Sequence, residues 1–333
     1  MDGSPRDPVE LAVVRAWQRC LKLERVGVED DFRACGGTKA AALAIGEELR
    51  RALGAWLPPS ALGVFPRVEQ LAAVYRPLVP PERFAAPLPL HRASALEAAP
   101  VDPEDERDAF MVHGVGGEVV SVYGLASRLP PTWRVWGLEL PSLRTGAHAP
   151  FDVPALARRH VATLRTLRRR GSIVLGGHSL GGLVAYEMAR QLRGSELNVA
   201  LLLLLDVEVP DGDPVPRRPV AYDREQREQL LERMCRAGFF PPGSTVDLLE
   251  RFTSITHAMT DAAVAYEVAP LDQPAVHFRT AGYASEQVSE RSTWEPYLGA
   301  GLRTEAIGGD HYTMYMPPHV ESFAARVADC LPR

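Results

Sequence analysis

The stretch Ser172-Ile173-Val174-Leu175-Gly176-Gly177-His178-Ser179-Leu180-Gly181-Gly182 decides how the larger, C-terminal part of this chain is read. The apolar run 172–175 is short enough for a buried strand, and residues 182–193 carry a helical pattern. Between them, Gly177-His178-Ser179-Leu180-Gly181 fits the Gly-x-Ser-x-Gly pattern of a nucleophile elbow, where a sharp strand-to-helix turn forces a serine into strained backbone. Glycine is required two residues to either side, because side chains there would strike the adjoining strand and helix. Such a turn presents Ser179 at the carboxyl edge of a sheet.

Working outward, further apolar runs occur at 109–112, 134–138, 200–205 and 275–278, separated by helical patterns at 119–129, 153–170 and 182–193, with a further expected strand at 302–307 and a last helical pattern at 318–331. This alternation predicts a mostly parallel sheet with helices on both faces. The segment from 205 to 275 is too long for a simple crossover and has helical patterns of its own at 224–237 and 246–264, so residues 207–274 read as a helical lid over the sheet.

A serine hydroxyl is a weak nucleophile and needs a base that is oriented by an acid, the two following the serine in the order acid, then histidine. Asp206 comes straight after the run 200–205, whereas the run 275–278 leads into Arg279-Thr280-Ala281-Gly282, which holds no carboxylate. Asp206 is therefore the expected acid; the plainer role for it is to cap the next segment. Of nine histidines only His311, in Gly308-Gly309-Asp310-His311-Tyr312, falls in a late loop after a strand. His277 and His319 read as structural, and His178 is expected to point away from Ser179. The oxyanion needs two donors, assigned to the backbone N–H groups of Leu180 and of Val115 in the loop His113-Gly114-Val115-Gly116-Gly117. That loop could equally be a tight turn, and it lacks the Lys-Ser or Lys-Thr pair of a phosphate-binding loop.

Ahead of this region, residues 1–76 show helical spacing at 8–20, 40–53 and 68–75 and no strand-like alternation, which predicts a small all-helical bundle. Residues 77–108, with prolines at 77, 80, 81, 87, 89, 100 and 103, read as a stiff linker. A net charge of −5, with no basic block beyond the short run Arg168 to Arg170, which reads as a solvated helix end, speaks against nucleic acid as a partner. The apolar run 199–205 is too short to span a membrane. Four dispersed cysteines match no zinc spacing, so no metal is expected and a reducing cytoplasm is the expected compartment.

Residues 109–331 resemble the terminal thioesterase domain of nonribosomal peptide and polyketide synthases, on the strength of Phe110 to Gly117, Gly177 to Gly182, Leu205-Asp206 and Gly309-Asp310-His311-Tyr312-Thr313-Met314 taken in order. The resemblance implies an α/β-hydrolase fold with a helical lid and the acid after the strand that follows the elbow. It also implies discharge of an acyl chain from a carrier's 4'-phosphopantetheine thioester, first onto serine, then to water or an internal nucleophile. Residues 1–76 look like a peptidyl carrier domain, with Leu23 to Phe32 leading to Gly36-Gly37. That family's motif continues with any residue and then the phosphopantetheinylated serine; here the two are Thr38 and Lys39, and an ammonium group cannot form the phosphodiester. The domain is also not acidic, holding 11 Lys and Arg against 10 Asp and Glu in residues 1–76. The expectation is a degenerate carrier with no cofactor on this chain, the substrate arriving on a separate carrier in trans, within or beside a synthase. A general serine esterase or lipase and a non-catalytic interaction module are the competing functions. Lid residues Phe239, Phe240, Met259 and Tyr266 are candidates for shaping the acyl site or for plain packing.

Overall fold

The computed structural model describes residues 3–80, 83, 87–91, 107–140, 152–210, 223–236, 240–280 and 293–332. The chain divides into two compact units. The first is helical: α1 (Pro8–Leu21), α2 (Lys39–Leu53), α3 (Ala61–Val64) and α4 (Val68–Tyr75). Helix α1 starts where Asp7 accepts the Glu10 N–H at 2.8 Å with Pro8 at the first position, and stops at Lys22 in the left-handed region. Its apolar stripe buries Val13, Val14 and Trp17 completely, and the Trp17 ring meets Phe32 edge-on with centroids 5.5 Å apart. A fully buried carboxylate, Glu10, is met by Arg6 at 2.9 Å and by Arg76 at 2.8 Å, the second of which ties α1 to the residue after α4.

The second unit is built on a seven-stranded sheet: β1 (Leu88–His91), β2 (Arg107–Val112), β3 (Trp133–Leu138), β4 (Gly171–His178), β5 (Leu197–Leu205), β6 (Ala275–Thr280) and β7 (Leu302–Ile307). Its order is β1-β3-β2-β4-β5-β6-β7; β1 runs antiparallel to β3 and every other neighbouring pair is parallel. Covering elements are α5 (Tyr123–Ala126), α6 (Val153–Leu164), α7 (Leu180–Leu192), α10 (Glu295–Leu298) and α11 (His319–Cys330). Parallel strands covered on both faces need no alternation, which is why Leu201 to Leu205 are buried without a break. Parallel direction also brings the carboxyl ends of β2, β4, β5, β6 and β7 to one edge.

Between β5 and β6 lie α8 (Arg224–Arg236) and α9 (Val246–Val264). The expected lid thus has its helices where the sequence places them, but α8 and residues 246–251 of α9 group with the N-terminal helices, and α9 from Phe252 onward groups with the sheet. Three other expectations are corrected. Leu88–His91, inside the segment read as linker, is an edge strand, a position that tolerates Pro89 because one side of the strand needs no partner. The rest of that segment lies largely outside the described residues, as do Phe239 and Ala237. The pattern 119–129 yields only a 3-10 turn, Val120–Val122, followed by the short α5. β-branched Val119, Val120 and Val122 lose side-chain freedom in a helix, and Gly124 is pressed so close to Tyr315 that a Cβ would lie 2.5 Å from its carbonyl oxygen. Helix α6 stops at Leu164, not 170, where the Arg165 N–H closes the last turn on the Val161 carbonyl at 3.0 Å.

Candidate active site

Ser179 sits between β4 and α7 at φ 53°, ψ −131°, a region almost reserved for glycine. Two flanking glycines make the turn possible. A Cβ on Gly177 would overlap the Gly181 carbonyl and lie 2.6 Å from the Gly182 nitrogen; one on Gly181 would overlap the His113 carbonyl and lie 2.7 Å from that of Val112. The end of β2 and the first turn of α7 therefore meet backbone to backbone, which puts the His113 to Gly117 loop beside the elbow. The N–H groups of Val115 and Leu180 have no backbone acceptor among the described residues.

One strand over, Asp206 ends β5 with φ 51°. Its carboxylate is buried and accepts hydrogen bonds from the His311 ring Nδ1 at 2.7 Å, the Thr280 N–H at 2.8 Å and the Thr280 hydroxyl at 3.0 and 3.1 Å. Burial pushes its pKa up, but the His311 and Thr280 bonds outweigh burial and hold it below the usual carboxylate range. Thr280 is a functional residue that the sequence does not single out, since the stretch Arg279-Thr280-Ala281-Gly282 is marked only by its lack of a carboxylate. The available signal was its place, since the last residue of β6 lies next to Asp206 when β5 and β6 run in parallel.

His311 lies in the loop after β7, where Asp310 accepts the N–H groups of Tyr312 and Thr313 at 2.9 Å and so shapes the turn. His178, set aside from the sequence, packs its ring on that of His311 with centroids 4.4 Å apart and meets Tyr315 edge-on at 5.1 Å. Burial lowers the His178 pKa to about 3, so it stays neutral. His277 is buried in β6 and neutral, with a pKa lowered to about 4 by burial. His113 likewise falls to about 4 through burial, its Nδ1 2.8 Å from the Gly114 oxygen and its ring 5.2 Å from that of His160. No group of three metal-ligating side chains occurs among the described residues, and no helix there is long and apolar enough to cross a membrane.

A mostly parallel sheet with a serine elbow after one strand, and an acid and a histidine bonded to each other after two later ones, is the architecture of an α/β hydrolase. Residues 107–330 match the thioesterase domain family, and the chain belongs to that family of hydrolases. Among known proteins it is similar to a dimodular nonribosomal peptide synthase of Bacillus subtilis (strain 168), 27% identical over 237 residues, 71% of this chain and 9% of that protein. Indigoidine synthase of Dickeya dadantii (strain 3937) is 29% identical over 75% of this chain and 15% of its own length, and enterobactin synthase component F of Escherichia coli (strain K12) 24% over 89% and 22%. The chain thus spans a small part of these relatives. Two solved structures share its fold. A four-domain nonribosomal peptide synthetase in its holo form, bound to AMP and glycine, matches at TM-score 0.84 and 20% identity over 99% of this chain and 26% of that one. The NocB thioesterase domain, in covalent complex with a fluorophosphonate nocardicin G analogue, matches at 0.55 and 24% over 68% and 94%.

Proposed function

We propose that the protein is a serine thioesterase that releases an acyl, peptidyl or polyketide chain from a carrier-bound 4'-phosphopantetheine thioester. The observation that carries this reading is the 2.7 Å contact of His311 Nδ1 with buried Asp206, at the sheet edge that also holds the strained Ser179. A Nδ1–H directed to the carboxylate leaves Nε2 to take the serine proton. Ser179 Oγ then attacks the thioester carbon, and the negative oxygen is received by the N–H groups of Leu180 and Val115. His311, now charged beside Asp206, returns the proton to the departing thiol, leaving an acyl-serine. Water or a nucleophile on the chain itself, deprotonated by His311, completes release.

The N-terminal unit we read as a degenerate carrier, residues 1–76, in cytoplasmic association with a synthase. In support, Lys39 is the exposed first residue of α2, and the Thr38 hydroxyl is taken up as the helix cap, accepting the Ala41 N–H at 3.1 Å. The likeness to the four-domain synthetase also runs through this unit. With no serine for the arm at the motif position, the substrate on this reading arrives on a carrier other than residues 1–76. The test is to supply acyl-pantetheine thioesters and the matching simple oxygen esters and identify products by mass. Preferential thioester turnover supports the proposal; ester turnover alone points to a general esterase, and neither to an interaction module.

A further inference from the structure

The peptide that has to aim the Val115 N–H is held by packing. Within the loop, Gly117 N–H donates to the Gly114 carbonyl at 3.0 Å, Gly114 N–H to that of Glu118 at 3.3 Å, and Leu140 N–H to that of Gly117 at 2.8 Å. Val115 and Gly116 themselves enter no backbone hydrogen bond among the described residues. On the elbow side the loop is fixed by the contact of the His113 carbonyl with Gly181. On the opposite side stands α9. A Cβ on Gly116 would overlap the Phe252 ring, at 2.8 Å from Cζ and 3.0 Å from Cδ2, and one on Gly117 would lie 3.6 Å from Ile255. Gly116 is glycine because a lid side chain occupies the space above it: it carries none of the positive φ that Gly117 has at 85°.

The far end of α9 is anchored to the nucleophile helix. The Tyr266 hydroxyl donates to Glu187 at 2.8 Å, and the Tyr186 hydroxyl donates to the Ala269 carbonyl at 2.6 Å. Glu187 is fully buried on α7 and also receives Arg190. The helix bearing Phe252 and the helix that starts at Ser179 are thus one mechanical piece, with the oxyanion loop between its two contact points.

We propose that Phe252 is a positioning residue for catalysis: its ring, seated on Gly116, holds the loop so that the Val115 N–H and the Leu180 N–H converge on one oxygen. The inference rests on the serine hydrolase reading and deepens it by making the lid part of the oxyanion site. Loss of the ring frees the loop and weakens acylation with little change in substrate binding, so kcat falls and KM holds. Removing one oxyanion donor outright costs about 10²–10³-fold, and a loosened donor costs part of that.

The experiment measures the rate of fluorophosphonate labelling at Ser179, whose phosphoryl oxygen must enter the same site, in the full chain and in Phe252→Ala, Gly116→Ala and the double variant, with circular dichroism to confirm folding. Phe252→Ala is expected to label ~10-fold more slowly and Gly116→Ala to be impaired more severely. The double variant is expected to recover to the Phe252→Ala rate, because the added methyl then has room. A Phe252→Ala rate equal to wild type, or a Gly116→Ala loss that persists undiminished in the double variant, overturns the inference. A wild-type chain that is not labelled at Ser179 at all overturns the hydrolase reading instead, so the two failures are distinguishable. Steady-state kinetics on an acyl-pantetheine thioester adds the kcat-against-KM split, and a rise in KM with kcat unchanged would assign Phe252 to substrate binding and refute positioning.

Discussion

If the elbow is strained as its geometry indicates, Ser179→Gly should make the protein more stable than Ser179→Ala, although both are inactive. At φ 53°, ψ −131° a residue with a Cβ costs about 1–3 kcal/mol, and alanine bears that cost as serine does. Glycine removes it. The gain is offset by the extra freedom glycine has in the unfolded chain, about 0.4–1 kcal/mol. The difference between the two variants should therefore lie between about 0 and 2.6 kcal/mol in favour of glycine, centred near ~1.3 kcal/mol. For a unit of this size each kcal/mol moves the melting temperature by about 2–4 °C. Urea unfolding followed by circular dichroism, with equal m-values for the two variants, reads this directly. Each variant is compared with the other and not only with wild type, which cancels the loss of the hydroxyl. A glycine variant no more stable than the alanine variant would mean that the turn stores no strain, and that Gly177 and Gly181 are present for some reason other than holding the serine in that conformation.

Other consequences follow from the same geometry. Ser179→Ala or His311→Ala should lower turnover at least ~10³-fold, and Asp206→Asn somewhat less, because the three act as a unit; steady-state rates on one thioester decide this. Thr280→Val removes a hydroxyl bonded to a buried carboxylate and should cost about 1.5–3 kcal/mol at neutral pH. Since the Asp206 pKa is depressed in the folded state, the stability gained from its ionised form is present above the usual carboxylate range and is lost as pH falls through the lowered value, so the Thr280→Val penalty should shrink on strong acidification. His113 and His277, neutral down to about pH 4, bind protons in the unfolded chain from about pH 6.5, so each should withdraw up to ~1.4 kcal/mol of stability per pH unit over that window; His277→Gln should flatten the slope of unfolding free energy against pH. The wild-type chain should gain no arm from coenzyme A and a broad phosphopantetheinyl transferase, whereas Lys39→Ser should gain one by intact mass.

Much of this arrangement is legible in the residues because each signal is local. The elbow needs only five letters between a strand and a helix, Asp206 follows directly on the apolar run that forms β5, and His311 falls in the loop Gly308 to Tyr312 that follows β7. What could not be read depends on lateral packing. Thr280 acts on Asp206 only because β6 lies beside β5 in one register. His178 meets His311 across the sheet edge, which no rule about neighbouring side chains at a turn would supply. Strand β1 hides in a proline-rich segment because an edge strand needs half the hydrogen bonds of an inner one. The pattern 119–129 yields only the turn Val120–Val122 and the short α5, because the β-branched Val119, Val120 and Val122 disfavour helix despite their spacing.

Catalysis by this chain depends on the reactivity of one hydroxyl, that of Ser179. Incubating the intact chain with a fluorophosphonate and mapping the adduct by peptide mass spectrometry should place a single modification on Ser179, formed at least ~10³-fold more slowly in His311→Ala. Modification elsewhere, or a rate indifferent to His311, would contradict it.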